Sequence, residues 1–439
     1  MQIVPELAQH AAAVPPVIRS AFGDHAPKVD ALVDALRQAA SDRGAIGPGG
    51  PWYHGWLAVE GERVVGYVGA SRMLLVTSDR AVTEVCCLSP LAVVPDRQRQ
   101  GVGRALVAAV VEWADRVAMP AVVLEGDPAV YSRYGFVPAS DVGWGRVSPL
   151  IPTPAQQVYP LREGLPAGRL MYPEPVWWAG ASGLPVDPLL DELSRQAGAL
   201  AVLALDADAD VPYPGEVPFG SRALLPGAPG WTPDGLLDHL GTVYRLVTAW
   251  LREGARPRTA PVRGEVAPGL DAWHWMVDAW HDLHDELARR PADAPTSTWC
   301  AYDATVGFWR RRMLHETAIH AADVAAAAGV RWRLPDAVAH DGVEEALRLW
   351  LGTMLGSSVG GGGQRITVAA DGGEEWTVAL HGGVVEVHRL GGTTDARLNG
   401  PAGAVYRWLW GQATDDEVTL DGDLTAVAAL RSCLARAMQ

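Results

Sequence analysis

FWRRRMLHETAIHAAD (residues 308–323) is the densest cluster of metal-ligating and acid–base side chains in the chain, and how it is read decides the architecture around it. Two histidines on one helix can share an ion when they are four residues apart, because both rings then lie on one face. His315 and His320 are five apart, about 140° round a helix of roughly 3.6 residues per turn, so they point to different sides. Glu316 and His320 are four apart. That pair shares a face and offers one carboxylate and one imidazole, which leaves a third ligand to come from another helix packed alongside.

The totals bound what surrounds this helix. A chain of 439 residues exceeds one ordinary core, so two or three domains are expected. Hydrophobic residues make up 49%, as in packed globular proteins, while a formal net charge of −15 argues against nucleic acid and anionic membrane surfaces as partners. Cys86, Cys87, Cys300 and Cys433 form no CxxC pair and no disulfide-like spacing, so a reduced, cytoplasmic setting is expected. No basic segment followed by an apolar run opens the sequence, and no stretch of about 18 residues is uniformly apolar.

Residues 1–176 read as mixed α and β. VIRSAFGDHAPKVDALVDALRQAA (17–40) has helical periodicity, and WLAVEGERVVGYVGA (56–70) reads as two strands joined at Gly61 and Glu62. EVCCLSPLAVVP (84–95) is a buried strand ended by Pro95, with Cys86 and Cys87 filling the sheet. QRQGVG (98–103) then opens the helix GRALVAAVVEWADRV. Glycines at such a turn let the backbone approach a ligand, and the helix start offers unpaired N–H groups and a positive dipole end, which suits a pyrophosphate. The same glycines would serve a plain tight turn, and spacing alone does not separate the two.

VVLEGDPAVYSRYGFVPAS (122–140) reads as strand, short helix and strand. Together with LAVVPDRQRQGVGRAL it resembles the GNAT family of acyl-CoA N-acyltransferases, and AGRLMYPEPV (167–176) resembles the closing strand of one GNAT subgroup. The resemblance implies a mixed sheet with helices and acetyl-CoA as donor. It further implies that backbone amides of Arg99, Gln100, Gly101, Val102, Gly103 and Arg104 hold the CoA pyrophosphate, and that the strand from Leu91 to Val93 pairs with the pantetheine arm. Tyr131 matches the family's Tyr-x-x-x-Gly-Phe pattern as the acid that protonates the departing thiolate; a phenol with a pKa near 10 keeps its proton at neutral pH. The plain alternative is a core tyrosine. Glu84 stands where some members keep a general base, although a strand-end glutamate needs no function. No motif encodes the acyl acceptor.

After WWAGASG (177–183), read as a linker, residues 184–355 become helical. Asp187 and Pro188 cap and start one helix to about Ala204, followed by the loop DVPYPGEVPFGS (210–221). Thr232 and Pro233 start a second helix that Gly254 ends; a third runs from about Leu270 to Arg290, and the fourth, from about Ala304 to Gly329, carries the opening stretch. Apolar stripes on all four predict a bundle. His239 lies on the stripe of Leu236, Leu240, Val243 and Val247; alone, it would read as a buried, hydrogen-bonded histidine.

PGWTPDGLLDHLGTVYR (229–245), followed by TVGFWRRRMLHETAIHAAD (305–323), resembles the mycothiol-dependent maleylpyruvate isomerase family within the DinB-like metalloenzymes. On that resemblance His239, Glu316 and His320 are ligands of a divalent metal, and mycothiol is a co-substrate. Two neutral imidazoles and one carboxylate leave Zn²⁺ an open fourth position, where a thiol would ionise. His315 falls off this face as a structural group, and Asp323, one turn beyond His320, is a candidate partner for its ring. Arg311 and Arg312 either orient the carboxylate, bind an acidic substrate or form a solvated run. His274, His281 and His284, among Trp273, Trp275 and Trp280, either line a cavity or pack the helix.

SSVGGGGQ (357–364) reads as a flexible join near the start of a small α/β segment, 356–439. QRITVAADGGEEWTVALHGGVVEVHRL alternates like strands, and AGAVYRWLWGQ and DLTAVAALRSCLARAM read as helices. WLWGQ followed by DGD resembles the sterol-carrier-like C-terminal domain of the same isomerase family, whose members often have arginine where Gln412 stands. The expected fold is thus α/β and α multidomain. The expected function is a bifunctional enzyme, an N-acetyltransferase joined to a thiol transferase or isomerase, both acting on small molecules. A second reading leaves catalysis to the bundle and makes the GNAT half a CoA-binding or scaffolding module.

Overall fold

The computed structural model describes residues 1–43, 53–172, 187–206, 232–327, 330, 332, 334–354, 359–389 and 393–438. The expected linker 177–183 and loop 210–221 lie outside the described residues, as do 173–176 of the expected closing strand. Packing divides the chain into two units, Met1–Asp206 with Leu237–Leu314 and Ala207–Leu236 with His315–Gln439. The division does not follow sequence order, since helices expected to form their own domain from residue 184 cluster with the N-terminal sheet.

The first unit is built on a nine-stranded mixed sheet. Its strands are β1 (Gln2–Pro5), β2 (Tyr53–Glu60), β3 (Arg63–Thr77), β4 (Val82–Val93), β5 (Ala121–Glu125), β6 (Val137–Pro138), β7 (Trp144–Gly145), β8 (Gln156–Pro160) and β9 (Gly168–Met171). The order is β1-β2-β3-β4-β5-β8-β6, with β9 on β3 and β7 on β9. β2, β3 and β4 are antiparallel neighbours, but β4 and β5 run parallel and pair only at Cys86–Val122 and Cys87–Val123. Beyond those pairs the two strands run on to Val93 and Glu125 without a shared ladder, so the sheet opens between them.

Helices α1 (Val14–Phe22), α2 (Ala26–Arg43), α3 (Val102–Arg116) and α4 (Pro128–Tyr131) belong to this sheet. The single helix expected over 17–40 is two, because the chain turns at Gly23 with φ 55°, a conformation glycine reaches without strain. α3 lies close on β3 at Gly66, where a Cβ would come 2.9 Å from the Leu106 side chain.

The four helices expected next are present as α5 (Pro188–Asp206), α6 (Pro233–Glu253), α8 (Ala272–Ala288) and α9 (Val306–Ala327), with a short α7 (Arg263–Val266) between. The Asp187 carboxylate accepts from the Leu189 and Leu190 amides at 3.0 and 3.3 Å, and Gly254, at φ 67°, ends α6. α8 is the hub of these helices. Its fully buried Trp273 donates to the Ala201 carbonyl at 2.8 Å and Trp275 to the Asp238 carbonyl at 3.1 Å, tying α5 and α6 to it. Burying each tryptophan contributes roughly 3 kcal/mol by area, so α8 anchors its neighbours through apolar mass first and through indole N–H direction second.

Asp271, Asp278 and Asp285 recur every seventh residue at the start and along one side of α8. They pair with Arg80, Arg169 and Arg146, one arginine each from three loops or strands of the sheet region. Arg310 is buried and donates to Asp187 at 2.9 Å and to the Leu287 carbonyl at 2.9 Å, and Arg312 is buried as well. The solvated-run reading is therefore wrong at Arg312, which is buried, while Arg310, two residues earlier, supplies donors to the carbonyl end of α8.

The second unit takes α9 from His315 and adds α10 (Asp336–Glu344), which continues as a π-helix over Glu345–Met354 and which the sequence pattern did not predict. A four-stranded sheet follows, formed by β10 (Val359–Ala370), β11 (Glu375–Arg389), β12 (Ala396–Gly400) and β13 (Thr419–Gly422) in the order β11-β10-β12-β13. α11 (Ala402–Leu409) and α12 (Leu424–Ala437) cover it, with Ile366, Val378 and Leu380 in one core with Tyr406, Trp408 and Leu430. The expected flexible join is a correction: residues from Val359 to Gln364 are the start of β10, bulged with Gly363 at φ 89°, because β11 offers them ladder partners. Among the described residues no helix is long and apolar enough to cross a membrane.

Candidate functional site

The opening between β4 and β5 is a cavity of about 520 Å³, walled by Leu88, Pro90 and Leu91 of β4, by Glu125 at the end of β5, and by Tyr131. Local sequence places Tyr131 there. The Asp127 carboxylate accepts from the Ala129 amide at 2.8 Å and Pro128 fixes the first turn of α4, so the tyrosine falls at the last helical position. Gly126 is required beside it, since a Cβ would come 2.2 Å from the Tyr131 ring. Burial, then the neighbouring Tyr134, pushes the Tyr131 phenol up to about 12, so the hydroxyl keeps its proton at neutral pH.

The expected pyrophosphate loop precedes α3. Arg99 and Gly101 take left-handed conformations, φ 58° and 88°. Side chains hold the loop from behind: Arg63 clamps Asp96 at 2.8 and 2.9 Å, Gln98 donates to the Val93 carbonyl at 3.1 Å, and Gln100 donates to the Asp96 carbonyl at 2.9 Å. The amides of Val102, Gly103 and Arg104 form the first turn, where no intrahelical acceptor exists. A Cβ on Gly103 would rest 3.8 Å from Val93 and 3.9 Å from Leu91, so the loop and the expected pantetheine strand adjoin.

Glu84 is ion-paired with Arg72 and is not among the residues that line the cavity. Glu125 does line it, and sequence reading passed it over. The signal available was its place at the end of a buried strand, directly before the Gly-Asp-Pro turn that aims Tyr131. Burial pushes the Glu125 carboxyl up to about 7. Cys87, also on the wall, has its thiol pushed up to about 12 by burial and is no nucleophile at neutral pH.

On α6 and α9, ligand atoms of His239, Glu316 and His320 all lie within 4.8 Å of one another. Nε2 of His320 is 3.4 Å from Oε1 of Glu316, and Nδ1 is 3.4 Å from Oδ2 of Asp323. Burial lowers the proton affinity of the His320 ring, but its hydrogen bonds to Asp323 and Glu316 win and raise its pKa to about 9. Two imidazoles and a carboxylate are a donor set that suits a divalent ion such as zinc, with Asp323 orienting the ring from behind. His315 is fully buried and bonded elsewhere, Nε2 to Asp341 at 2.7 Å and Nδ1 to the Tyr406 hydroxyl at 3.4 Å. Gln412 donates to the Ile319 carbonyl at 2.8 Å. His274 binds Asp271 at 2.5 Å, and His281 and His284 are buried within α8 packing; burial, then nearby arginines, pushes His284 down to about 4.

Residues 51–138 match the family model described as acetyltransferase (GNAT) domain, and residues 220–325 match the one described as mycothiol maleylpyruvate isomerase N-terminal domain. No curated protein matches the chain. Among solved structures, a GNAT family N-acetyltransferase from Escherichia coli in complex with CoA is 27% identical over 39% of this chain and 89% of that one, with a TM-score of 0.34. A GNAT family acetyltransferase from Brucella melitensis in complex with acetyl-CoA is 25% identical over 39% of this chain and 96% of that one, with a TM-score of 0.31. By the two family models, residues 51–138 are similar to the GNAT acetyltransferase domain and residues 220–325 to the mycothiol maleylpyruvate isomerase N-terminal domain.

Proposed function

We propose that the chain is a bifunctional enzyme, an acetyl-CoA-dependent N-acetyltransferase joined to a metal-dependent enzyme that uses mycothiol or a similar small thiol. The observation that carries the first activity is the cavity at the parted strands with Tyr131 on its wall. In this reading the loop from Arg99 to Arg104 holds the CoA pyrophosphate on its amides, the strand from Leu91 to Val93 holds the pantetheine arm, and Tyr131 returns a proton to the departing thiolate.

For the second activity, His239, Glu316 and His320 hold the ion, and Asp323 fixes the His320 tautomer so that Nε2 faces it. A divalent ion held there, zinc in the first instance, supplies the positive charge that lowers the pKa of a thiol. Glu316 offsets one unit of that charge and so favours retaining an anionic thiolate in a half-buried site. Delivery of the thiol to an electrophile and thiol-assisted isomerisation share this arrangement. The small α/β segment, 356–439, serves as the sterol-carrier-like companion of that domain.

The test is direct. The full-length protein is incubated with cell metabolite extracts and acetyl-CoA, mycothiol or both, and products are followed by mass spectrometry. Acetylated amines with acetyl-CoA and thiol adducts or isomerised products with mycothiol are expected. No heat of acetyl-CoA binding in calorimetry would remove the first activity, and full thiol-dependent turnover after exhaustive chelation would remove the second.

A further inference from the structure

The cavity holds a carboxylate with no assigned task. Glu125 is half-buried, and among the described residues its carboxylate has neither a hydrogen bond nor an ion pair. The titratable groups that share the cavity with it are Cys87 on β4, Tyr131 on α4 and Tyr172 beyond β9, with His25, Lys28 and Asp127 exposed at the rim. Cys87 and Tyr131 keep their protons at neutral pH, and burial pushes Tyr172 well above its ordinary value, so among the described residues the inner wall carries no cation to neutralise Glu125. Opposite, α1 and α2 contribute Phe22, Val29, Leu32 and Leu36, an apolar wall.

A lone carboxylate facing an apolar space calls for a cation that arrives with the ligand. We propose that Glu125 accepts the proton of the acyl acceptor's ammonium group, and that the acceptor is a primary amine carried on an apolar body. This rests on the acetyl-transfer reading above. The step balances as follows. The ammonium gives one proton to Glu125, and the freed nitrogen lone pair attacks the thioester carbonyl. The C–N bond forms, the C–S bond breaks and the sulfur takes the Tyr131 proton. The second nitrogen proton restores Tyr131 through solvent, leaving amide, free CoA thiol and one proton on Glu125 that passes to water. Cys87, held as a thiol, takes no acyl group, so transfer is direct.

Burial places the carboxyl near neutrality, where a proton acceptor is most useful. The experiment measures release of CoA thiol from acetyl-CoA by the full chain, with 2-phenylethylamine as the apolar primary amine, spermidine as the polycation and 2-phenylethanol as the uncharged control. Wild type is expected to acetylate 2-phenylethylamine best, with kcat/KM rising as pH rises through about 7. Glu125→Gln should lower kcat/KM at neutral pH by about 100-fold and abolish that rise, while binding acetyl-CoA unchanged in calorimetry, which also reports that the variant is folded. Glu125→Asp should restore the pH profile at a reduced rate. The proposal is overturned if Glu125→Gln keeps the rise, if Glu84→Gln removes it instead, if spermidine is the better acceptor, or if neither amine is acetylated by enzyme that binds acetyl-CoA. Failure of wild type to bind acetyl-CoA would overturn the acetyl-transfer reading itself.

Discussion

Glu125 and Glu316 are both half-buried glutamates, and their surroundings differ. Glu125 shares its cavity with an apolar wall and has no ion pair among the described residues, and burial raises its affinity for a proton. Glu316 stands with the imidazoles of His239 and His320, whose ligand atoms lie with its own within 4.8 Å, so the group as a whole favours a cation. One setting favours a protonated carboxyl, and the other gathers a donor set of the kind that could hold a metal. The chemical type of a side chain decides less here than the number of partners that reach it, and that number is a property of packing.

The sharpest way to break this comparison is Glu316→Gln, which keeps shape and removes charge. Zinc affinity, read by competition with a chromophoric chelator, should fall by more than the roughly 10–100-fold typical of a change behind the ligands. Unchanged affinity would mean that Glu316 is no ligand, and the contrast with Glu125 would collapse.

His284 extends the lone-group side of the comparison to a base. Both of its ring nitrogens lack hydrogen bonds among the described residues, and burial, then Arg146 and Arg310, push its pKa down to about 4. In the unfolded chain the ring binds a proton below about 6.5, whereas the folded chain resists it until about 4. The unfolded state therefore holds more protons across that window, and stability present above pH 6.5 is lost as pH falls. Urea unfolding between pH 7 and pH 4 should show a loss on the order of 3 kcal/mol from this group. His284→Leu should flatten that slope, and an equally steep slope in the variant would assign the acid sensitivity elsewhere.

Much of this was legible in the sequence wherever one short segment carries the whole arrangement. The β4–loop–α3 run and the Asp127–Tyr131 turn were readable because capping, glycine conformation and motif spacing are local. The spacing of Glu316 and His320 was readable for the same reason, but His239 rested on a family resemblance, since nothing in its own stripe separates a ligand from a packed histidine. Glu125 was missed because its meaning depends on where β4 and β5 stop pairing, which no residue in either strand announces. For Arg311 and Arg312 a solvated run was one of the readings open in the sequence, and the burial of Arg312, which depends on how α9 packs, removes it there. The glycines from Gly360 to Gly363 looked like a tether because glycine has a weak strand preference, which the ladder partners on β11 for Val359, Gly362 and Gln364 override.

A smaller effect tests the grouped side from behind the ligands. Asp323→Asn retains a hydrogen-bond acceptor for Nδ1 of His320 but loses its charge, so zinc should bind about 10-fold more weakly, with the stoichiometry kept. An affinity as low as that of Glu316→Gln would make Asp323 a ligand rather than an orienting group.

The smallest effect belongs to carboxylates that have a permanent partner, the aspartates of α8. Asp278 pairs with Arg169 at a site that keeps some exposure to water, so the attraction is screened and the long arginine side chain gives up rotamer freedom to hold it. Asp278→Asn should therefore cost only about 0.5 kcal/mol in urea unfolding, and less in high salt. Asp271 pairs with Arg80 and also accepts from the Trp273 and His274 amides at 2.9 and 3.2 Å, so it is a helix cap as well as an ion-pair partner. Asn caps almost as well as Asp, and Asp271→Asn should cost as little as Asp278→Asn, whereas Asp271→Ala should cost about 1 kcal/mol more. If Asp278→Asn instead cost several kcal/mol, the pair would behave as a buried one, and a carboxylate's guanidinium partner would count for as much as the imidazoles around Glu316.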